Sequence, residues 1–238
     1  MRDRLIHTWN AGERYLAEGE YMFARRALET AEAMAWRRRD AAALARLYLP
    51  LLEACRQLRH QACAGHIIIS PVLPPPARAH LLRAGAGTFV GSGPEALACG
   101  RHLIIAARNA GASVEFLLLL RHGSVVRLCS PAAATFAAGL AVRWTVNATA
   151  LAEWQDAGDP LVPLPRTGDI APDRPEHALA AEALLVAWQA LALRWLRRHG
   201  TATASWEEMA LLRRTRQIDP ACEPVFMRLI ALAEAAAH

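Results

Sequence analysis

The stretch best suited to chemistry is VGSGPEALA, residues 90–98. A glycine-rich turn between a strand and a helix can bind phosphate, because free N–H groups and the helix dipole point at the anion and glycine lets it come close. Gly91, Ser92 and Gly93 also fit a structural role, in which Ser92 or Gly93 caps the helix and Pro94 sits in its first turn. We predict the structural role and keep an anion site as the alternative.

The glycine spacing is similar to the strand-turn-helix of flavin- and nicotinamide-dependent oxidoreductases, where GxGxxG or GxGxxA follows the first strand. Gly91, Gly93 and Ala96 occupy those places. The resemblance implies a dinucleotide pyrophosphate at the helix start. However, the helix runs about one turn longer than in that family. The next strand also ends in Leu120 and Arg121 instead of an acidic residue, and too little chain follows for the second half of such a domain. Arg121 would suit a phosphorylated ribose, but we expect no cofactor.

Metal and disulfide chemistry are not indicated. Four histidines lie in or near the central part of the chain, but no pair has a ligand spacing such as HExxH. The five cysteines are odd in number and have no CxxC spacing, which argues against a zinc site and a disulfide framework. The residues concerned are His66, His80, His102 and His122, and Cys55, Cys63, Cys99, Cys129 and Cys222.

Nucleophilic and acid-base chemistry are equally weak. Ser70 and Ser92 lack the context of a nucleophile elbow, and no Asp/Glu pair is spaced for acid-base catalysis. Glu115 stands early in an aliphatic run, where we expect an exposed strand end. If it is buried, it requires an arginine partner, for which the candidates are Arg121, Arg127 and Arg143.

All 27 basic residues are arginine, which is typical of a GC-rich bacterial genome, and the net charge is +5. Three arginine clusters fall near predicted helix ends or on polar helix faces, where we expect them to face solvent. No nucleic-acid recognition motif and no interleaved aromatic residues accompany them, so we expect no specific nucleic-acid partner. The clusters are Arg37, Arg38 and Arg39; Arg194, Arg197 and Arg198; and Arg213, Arg214 and Arg216.

The apolar content of 54% is ample for a sizeable core. The longest nearly apolar run, residues 178–193, is shorter than the roughly 20 residues that span a bilayer. The N-terminus carries charges throughout and has no apolar signal core. We therefore predict a cytoplasmic protein with no membrane partner.

Residues 1–62 have the periodicity of helices. Within them, GERYLAEGEYMFARRALETAEA resembles one tetratricopeptide repeat. The resemblance implies two antiparallel helices that turn at Gly19. Because solenoid repeats need several copies to bury a core, an isolated one must pack on another part of the chain or on a partner. The residues at the family's spacing are Gly12, Tyr15, Gly19, Tyr21, Ala24, Leu28 and Ala31. A third helix, at 40–60, contains Pro50, which predicts a kink or a break.

Residues 63–157 form the predicted α/β part. Short aliphatic blocks, HIIIS, GTFV, VEFLLLL, VVRL and VRWTV, are typical of strands. A helix at 94–109, closed by Gly111, joins two of them into a parallel β-α-β unit. A turn at His122-Gly123 then leads to an antiparallel strand, so we expect a mixed sheet. We predict that LPPPARAH, residues 73–80, is an extended segment that follows the first strand.

Residues 158–177 contain five prolines, and we predict that they form an extended connector. We predict that residues 178–238 are helical. A central helix is predicted at 176–198. Its Trp188, Leu191, Ala192 and Trp195 have the spacing of the first helix of a tetratricopeptide repeat. Ser205 and Glu208 form a predicted capping box, and a proline at 220 or 224 opens the last helix.

The sequence thus predicts an α/β fold: a small mixed sheet with helices, flanked by N- and C-terminal repeat-like helical segments that pack together. The predicted contacts between these segments are Tyr15, Tyr21, Leu28, Trp188, Leu191 and Trp195. The leading function is non-catalytic, a protein-protein interaction or scaffold protein that uses the helical surface. The alternative is a nucleotide- or small-molecule-binding α/β domain, enzymatic or not, that uses the Gly91–Pro94 turn. The protein partner and the oligomeric state stay open.

Overall fold

The computed structural model describes residues 2–92, 94–122, 125–129, 168–199 and 205–238. Its residues divide into a helical unit, Met1–His60 with Ala192–His238, and a sheet unit, Gln61–Leu191. The described helices are α1 (Arg2–Ala17), α2 (Tyr21–Arg37), α3 (Ala41–Ala64), α4 (Pro75–Ala84), α5 (Pro94–Ala110), α6 (Pro175–His199), α7 (Ser205–Thr215) and α8 (Glu223–Ala237). The described strands are β1 (His66–Ser70), β2 (Ala86–Ser92), β3 (Ser113–His122), β4 (Val125–Cys129) and β5 (Gly168–Ile170).

Helices α1 and α2 form the predicted antiparallel hairpin. Gly19 closes it with a left-handed backbone, φ 78°, which glycine adopts without steric cost. A Cβ on Gly12 would lie 2.7 Å from Cγ of Leu28, so the missing side chain lets the two helices approach closely. Ala24 and Ala31 are fully buried on α2. The small residues therefore set the spacing of the hairpin.

The N- and C-terminal helical segments pack together in the helical unit, as predicted. Four groups of contacts join them: Glu32 with Arg213 and Arg216, Trp36 with Trp206, Tyr48 with Phe226, and Arg59 with Asp219. The contact residues named from the sequence stay a prediction. Trp188 and Leu191 belong to the sheet unit, and the side chain of Trp195 lies outside the described part.

Helix α3 continues through Pro50, so of the two predicted outcomes the break was wrong and the kink stays a prediction. The flanking residues Leu47, Tyr48, Leu51 and Leu52 are at most 3% exposed. Their burial on both sides of the proline explains why the helix persists, since packing outweighs the lost backbone hydrogen bond.

The described strands form one mixed sheet in the order β4-β3-β2-β1-β5. The central three are parallel, and β4 and β5 are antiparallel to their neighbours, which confirms the mixed sheet and the β-α-β unit. On one face a single apolar cluster combines the sheet with α4 and α5. It includes Ile68, Leu81, Phe89, Ala96, Leu103, Ala107, Val114, Phe116 and Leu118.

Alternate residues of the central strands are buried on the opposite face, because side chains along a strand alternate between the two faces. These residues are Ile67, Ile69, Val90 and Leu117, each at most 1% exposed. The hydroxyl of Thr88 donates to the carbonyl oxygen of Ala62 at 3.2 Å, and Nε2 of His177 lies 2.8 Å from the carbonyl oxygen of Gly65. The last turn of α3 and the start of α6 thus connect to the sheet.

Two extended segments were predicted wrongly. LPPPARAH contains the start of α4, because Pro75 and Pro76 suit the first turn of a helix, where no N–H is needed. The connector contains β5, which pairs with β1, and the first residues of α6. Residues 158–167 and the VRWTV block lie outside the described residues.

The helices that follow agree better with the sequence. Helix α5 ends before Gly111, which has the left-handed φ of 70° expected of a closing glycine. Helix α8 begins at Glu223, so Pro224 opens it. Helix α7 begins at Ser205, and the carboxylate of Glu208 accepts two hydrogen bonds from Arg228. None of the described helices is long and apolar enough to cross a membrane.

Candidate functional site

The predicted turn lies where strand β2 meets helix α5. Ser92, the last residue of β2, pairs with Leu119 of β3, and Arg121 stands two residues farther along β3. The structure therefore brings the backbones of Ser92 and Arg121 to the carboxyl ends of neighbouring parallel strands. Gly93 and the side chains of Ser92 and Arg121 lie outside the described part of the chain. An anion site on these residues stays a prediction.

Close packing explains why residue 91 is glycine. A Cβ there would lie 2.5 Å from the Cβ of Ala96 and 3.0 Å from Cε1 of Phe89. Ala96 is fully buried in the first turn of α5. Gly91 thus lets α5 start directly against the strand, a role that requires no ligand.

The order of the strands also favours the structural role. In open α/β sheets a ligand crevice forms where the strand order reverses. Here the parallel strands β1, β2 and β3 are consecutive neighbours, and α4 and α5 belong to one apolar cluster. Among the described strands, the end of β2 is therefore not such a switch point.

An unpredicted polar cluster joins β1, α4 and β5. Nδ1 of His66 lies 2.8 Å from Oδ1 of Asp169, and the rings of His66 and His80 meet edge to face at 4.3 Å. Asp169 is opposite Ile68 in the β1–β5 register. A sequence of this kind gives no local signal for a pair so far apart. Within the described residues, no group of three His, Cys, Asp or Glu side chains could hold a metal ion.

Glu115 is the third residue of β3, lies opposite Thr88 and is partly buried. Glu115 is therefore not at an exposed strand end, in contrast to the expectation from the sequence. The side chains of Arg121 and Arg127 and the whole of Arg143 lie outside the described part. The proposed arginine partners of Glu115 stay a prediction.

The helical unit contains a buried ionic network. The Glu32 carboxylate accepts hydrogen bonds from Nε of Arg213 at 2.9 Å and from Nη1 of Arg216 at 2.7 Å. The Arg216 guanidinium lies 4.4 Å from the ring centre of Phe226 and 5.8 Å from that of Tyr48. Burial and the Glu32 carboxylate raise the pKa of Tyr48. Burial lowers the pKa of Arg216, but Glu32 together with Cys55, Tyr48 and Glu29 more than offsets this, and the pKa is raised.

The expectation that the Arg213, Arg214 and Arg216 cluster faces solvent was wrong for Arg216, which is only 8% exposed. The physical reason is Glu32, a buried carboxylate on α2 that gives the guanidinium an ionic partner. A second buried pair, Arg59 with Asp219 at 3.0 Å, links α3 to the C-terminal segment. The arginine runs thus combine structural and exposed positions, which their sequence alone did not separate.

Two aromatic groups lie at the surface of the helical unit. The first, at the turn end of the hairpin, pairs Tyr15 with Phe23 at 5.6 Å between ring centres, and Phe23 is 47% exposed. The second, which we name the Arg-Trp cluster, is Arg39, Trp206, Trp36 and Arg213. Arg39 lies over Trp206, Trp206 meets Trp36 edge to face, and Arg213 lies over Trp36.

Comparisons with models of protein families, with curated proteins and with solved structures find no match for this chain. Its function must therefore be inferred from its own residues and contacts.

Proposed function

We propose that this chain is a non-catalytic protein-protein interaction or scaffold protein that presents the surface of its helical unit to a partner protein. The observation that carries the proposal is the aromatic pair at the end of the α1–α2 hairpin, in which Phe23 is exposed and Tyr15 is partly buried. Aromatic and arginine side chains dominate the residues that contribute most to protein binding. The Arg14 guanidinium lies 5.4 Å from the Tyr15 ring centre, which adds an arginine to this group.

Further large apolar side chains of the helical unit are exposed. Each alone is ordinary for a protein surface, but an aromatic ring beside an arginine on a closely packed hairpin is a suitable binding element. The hairpin is also the part of the chain that resembles a tetratricopeptide repeat, a resemblance that implies protein binding. The exposed apolar residues are Ile6 on α1, Leu49 on α3 and Met227 on α8, at 46%, 59% and 51%.

The proposal is tested by affinity purification of the tagged full chain, compared with Phe23→Asp. The matched control is Leu179→Asp, which places the same charge at an exposed leucine of the sheet unit. We expect a co-purifying protein to be lost with Phe23→Asp and kept with Leu179→Asp. Loss of a central contact of this kind weakens binding about 30-fold or more. Equal recovery with both variants, at unchanged melting temperature, contradicts the proposal.

The second candidate is a nucleotide- or small-molecule-binding α/β domain that uses the Gly91–Pro94 turn. The neighbouring backbone positions of Ser92 and Arg121 favour it. A ligand at about 100 times its dissociation constant stabilises the folded state by roughly 2.7 kcal/mol, which a thermal shift detects. We expect any such shift from nucleotides or dinucleotides to disappear in Gly93→Val. The absence of a shift across a nucleotide panel removes this candidate.

A further inference from the structure

The Arg-Trp cluster assembles side chains from the end of α2, from the turn that follows it and from α7. The Arg213 guanidinium lies 4.2 Å from the Trp36 ring centre, the two indoles are 5.2 Å apart at 69°, and Arg39 lies 5.9 Å from Trp206. Arg39 is exposed, while Trp36, Trp206 and Arg213 are partly buried. The two indoles therefore lie between the two guanidinium groups, an arrangement that the sequence does not indicate.

Both indoles already have a guanidinium near a face. A guanidinium stacked on an aromatic ring is held flat, and its N–H groups point outward in the plane, where they can bind a carboxylate with two hydrogen bonds. Nε of Arg213 is committed to Glu32, but Arg39 has no ion pair among those described within the helical unit. The covered indole faces are less suited to stacking nucleic-acid bases, which requires open aromatic faces.

The charge around the cluster is positive on balance. Residues 36–40 and 206–216, which contain the cluster, include six arginines and three acidic residues, Asp40, Glu207 and Glu208. Of these, Glu208 is already paired with Arg228. Glu32 neutralises part of this charge from the buried side, through Arg213 and Arg216. Among the exposed residues of these two segments, Arg37, Arg39 and Arg214 outnumber Glu207, so the exposed charge is positive. A partner that covers this surface must therefore supply negative charge.

We infer that the Arg-Trp cluster is a docking site for an acidic protein segment, whose Asp and Glu side chains pair with the arginines of the cluster, Arg39 above all. The inference rests on the proposed function, and it adds the chemistry of the partner. The site is separate from the Phe23 pair: Phe23 and Trp36 are 13 residues apart on α2, about 20 Å along a helix. A partner bound at both positions would extend along the hairpin.

The test measures fluorescence anisotropy of a labelled polyglutamate peptide with the full chain at about 150 mM salt, where exposed long-range charge effects are screened. Three variants are compared with the unmodified chain. Arg39→Asn removes the guanidinium and suits the left-handed backbone of residue 39, φ 51°. Arg39→Lys keeps the charge but loses the planar guanidinium and its paired N–H donors. Arg83→Asn removes an exposed arginine from α4 as the matched control.

We expect saturable peptide binding that Arg39→Asn weakens about tenfold, Arg39→Lys weakens by less, and Arg83→Asn leaves within about twofold. Equal effects of Arg39→Asn and Arg83→Asn overturn the inference. So does tighter, Arg39-dependent binding of an oligothymidylate of the same charge, which would assign the cluster to nucleic acid. If a Phe23-dependent partner is captured while the peptide does not bind, only this inference fails. If the peptide binds and no such partner exists, only the Phe23 proposal fails.

Discussion

The two units of the chain use different interactions to hold their cores in one specific arrangement. The sheet unit relies on apolar packing: Phe89 and Phe116 are opposite each other in the β2–β3 register, and their rings stack at 5.3 Å. The helical unit instead places ion pairs inside, with Glu32 and Asp219 at most 4% exposed and each paired with an arginine. Both pairs join the N-terminal segment to the C-terminal one.

The difference follows from the geometry of the elements. A sheet register is fixed by alternation, since a slip of one residue moves every apolar side chain to the other face. Apolar helix surfaces rich in alanine and leucine can pack in several registers. A buried carboxylate that must pair with a buried arginine allows only one register, although such a pair is costly to desolvate. We therefore expect the ion pairs to specify which helices meet, more than to add stability.

The largest effect is expected for Glu32→Leu. The substitution leaves Arg216 buried without its ionic partner, and we expect the free energy of unfolding to fall by about 3 to 5 kcal/mol. Urea unfolding measures the loss. The double variant Glu32→Leu with Arg216→Met replaces both charges by apolar groups and should recover most of the stability, because the desolvation penalty disappears with the charge.

The matched change in the sheet unit is Phe89→Ala, whose loss of about 3 to 5 kcal/mol has a different origin, an unfilled cavity. A second substitution, of Phe116 to a smaller apolar residue, should increase this loss of stability instead of reversing it. If the double variant in the helical unit is as unstable as Glu32→Leu alone, the buried pair contributes stability directly and the contrast between the units is lost.

A smaller effect distinguishes two of the glycines that allow close approach, Gly91 and Gly12. At Gly91 a new Cβ meets the Cβ of Ala96 and the Phe89 ring, neither of which can rotate away, so Gly91→Ala should destabilise by about 1 to 3 kcal/mol. At Gly12 it meets the branched end of Leu28, and alanine gains about 1 kcal/mol of helix propensity. Thermal unfolding of both variants should show the larger loss for Gly91→Ala. The reverse order would indicate that Ala96 and α5 can shift.

The sequence predicted those parts of the fold that depend on local patterns. Short aliphatic blocks predicted β1 to β4, Gly19 and Gly111 marked the hairpin turn and the end of α5, and the mixed sheet followed from the connections. Pro75 was misread because proline suits both an extended segment and the first turn of a helix, and only the packing of Leu81 distinguishes them.

The site was less predictable because its contacts join distant parts of the chain. Trp36 and Trp206 are separated by most of the sequence, and no local spacing indicates that they meet. Glu32 resembles any helical surface residue, and its burial depends on arginines near the other end of the chain. The Gly91 turn could be recognised from its local sequence. Its structural role, however, depends on the contact with Ala96 and on the strand order, which are tertiary features.

The dependence of stability on alkaline pH should differ between the two units. The chain has no lysine, so thiols and the three tyrosines are the side chains that ordinarily titrate between pH 9 and 12. All three tyrosines and the thiols of Cys55 and Cys222 belong to the helical unit. Burial raises the pKa of Cys55 and Tyr48, and burial together with Asp219 raises that of Cys222 from 9.0 to about 12.

A raised pKa means that the folded state holds its proton more tightly than the unfolded chain. The stability linked to Cys222 is therefore fully present below pH 9 and is lost as the pH rises towards 12. We expect the free energy of unfolding, measured in urea at steps between pH 8 and 11, to fall with a slope that Cys222→Ala reduces. Cys99→Ala, at a partly exposed thiol of the sheet unit, is the control and should leave the slope unchanged. The slope is the decisive quantity, because Cys222→Ala also leaves a small cavity that lowers stability equally at every pH. An unchanged slope in Cys222→Ala would mean that the helical unit opens around this thiol before it ionises, and that its buried groups are less firmly enclosed than the apolar core of the sheet.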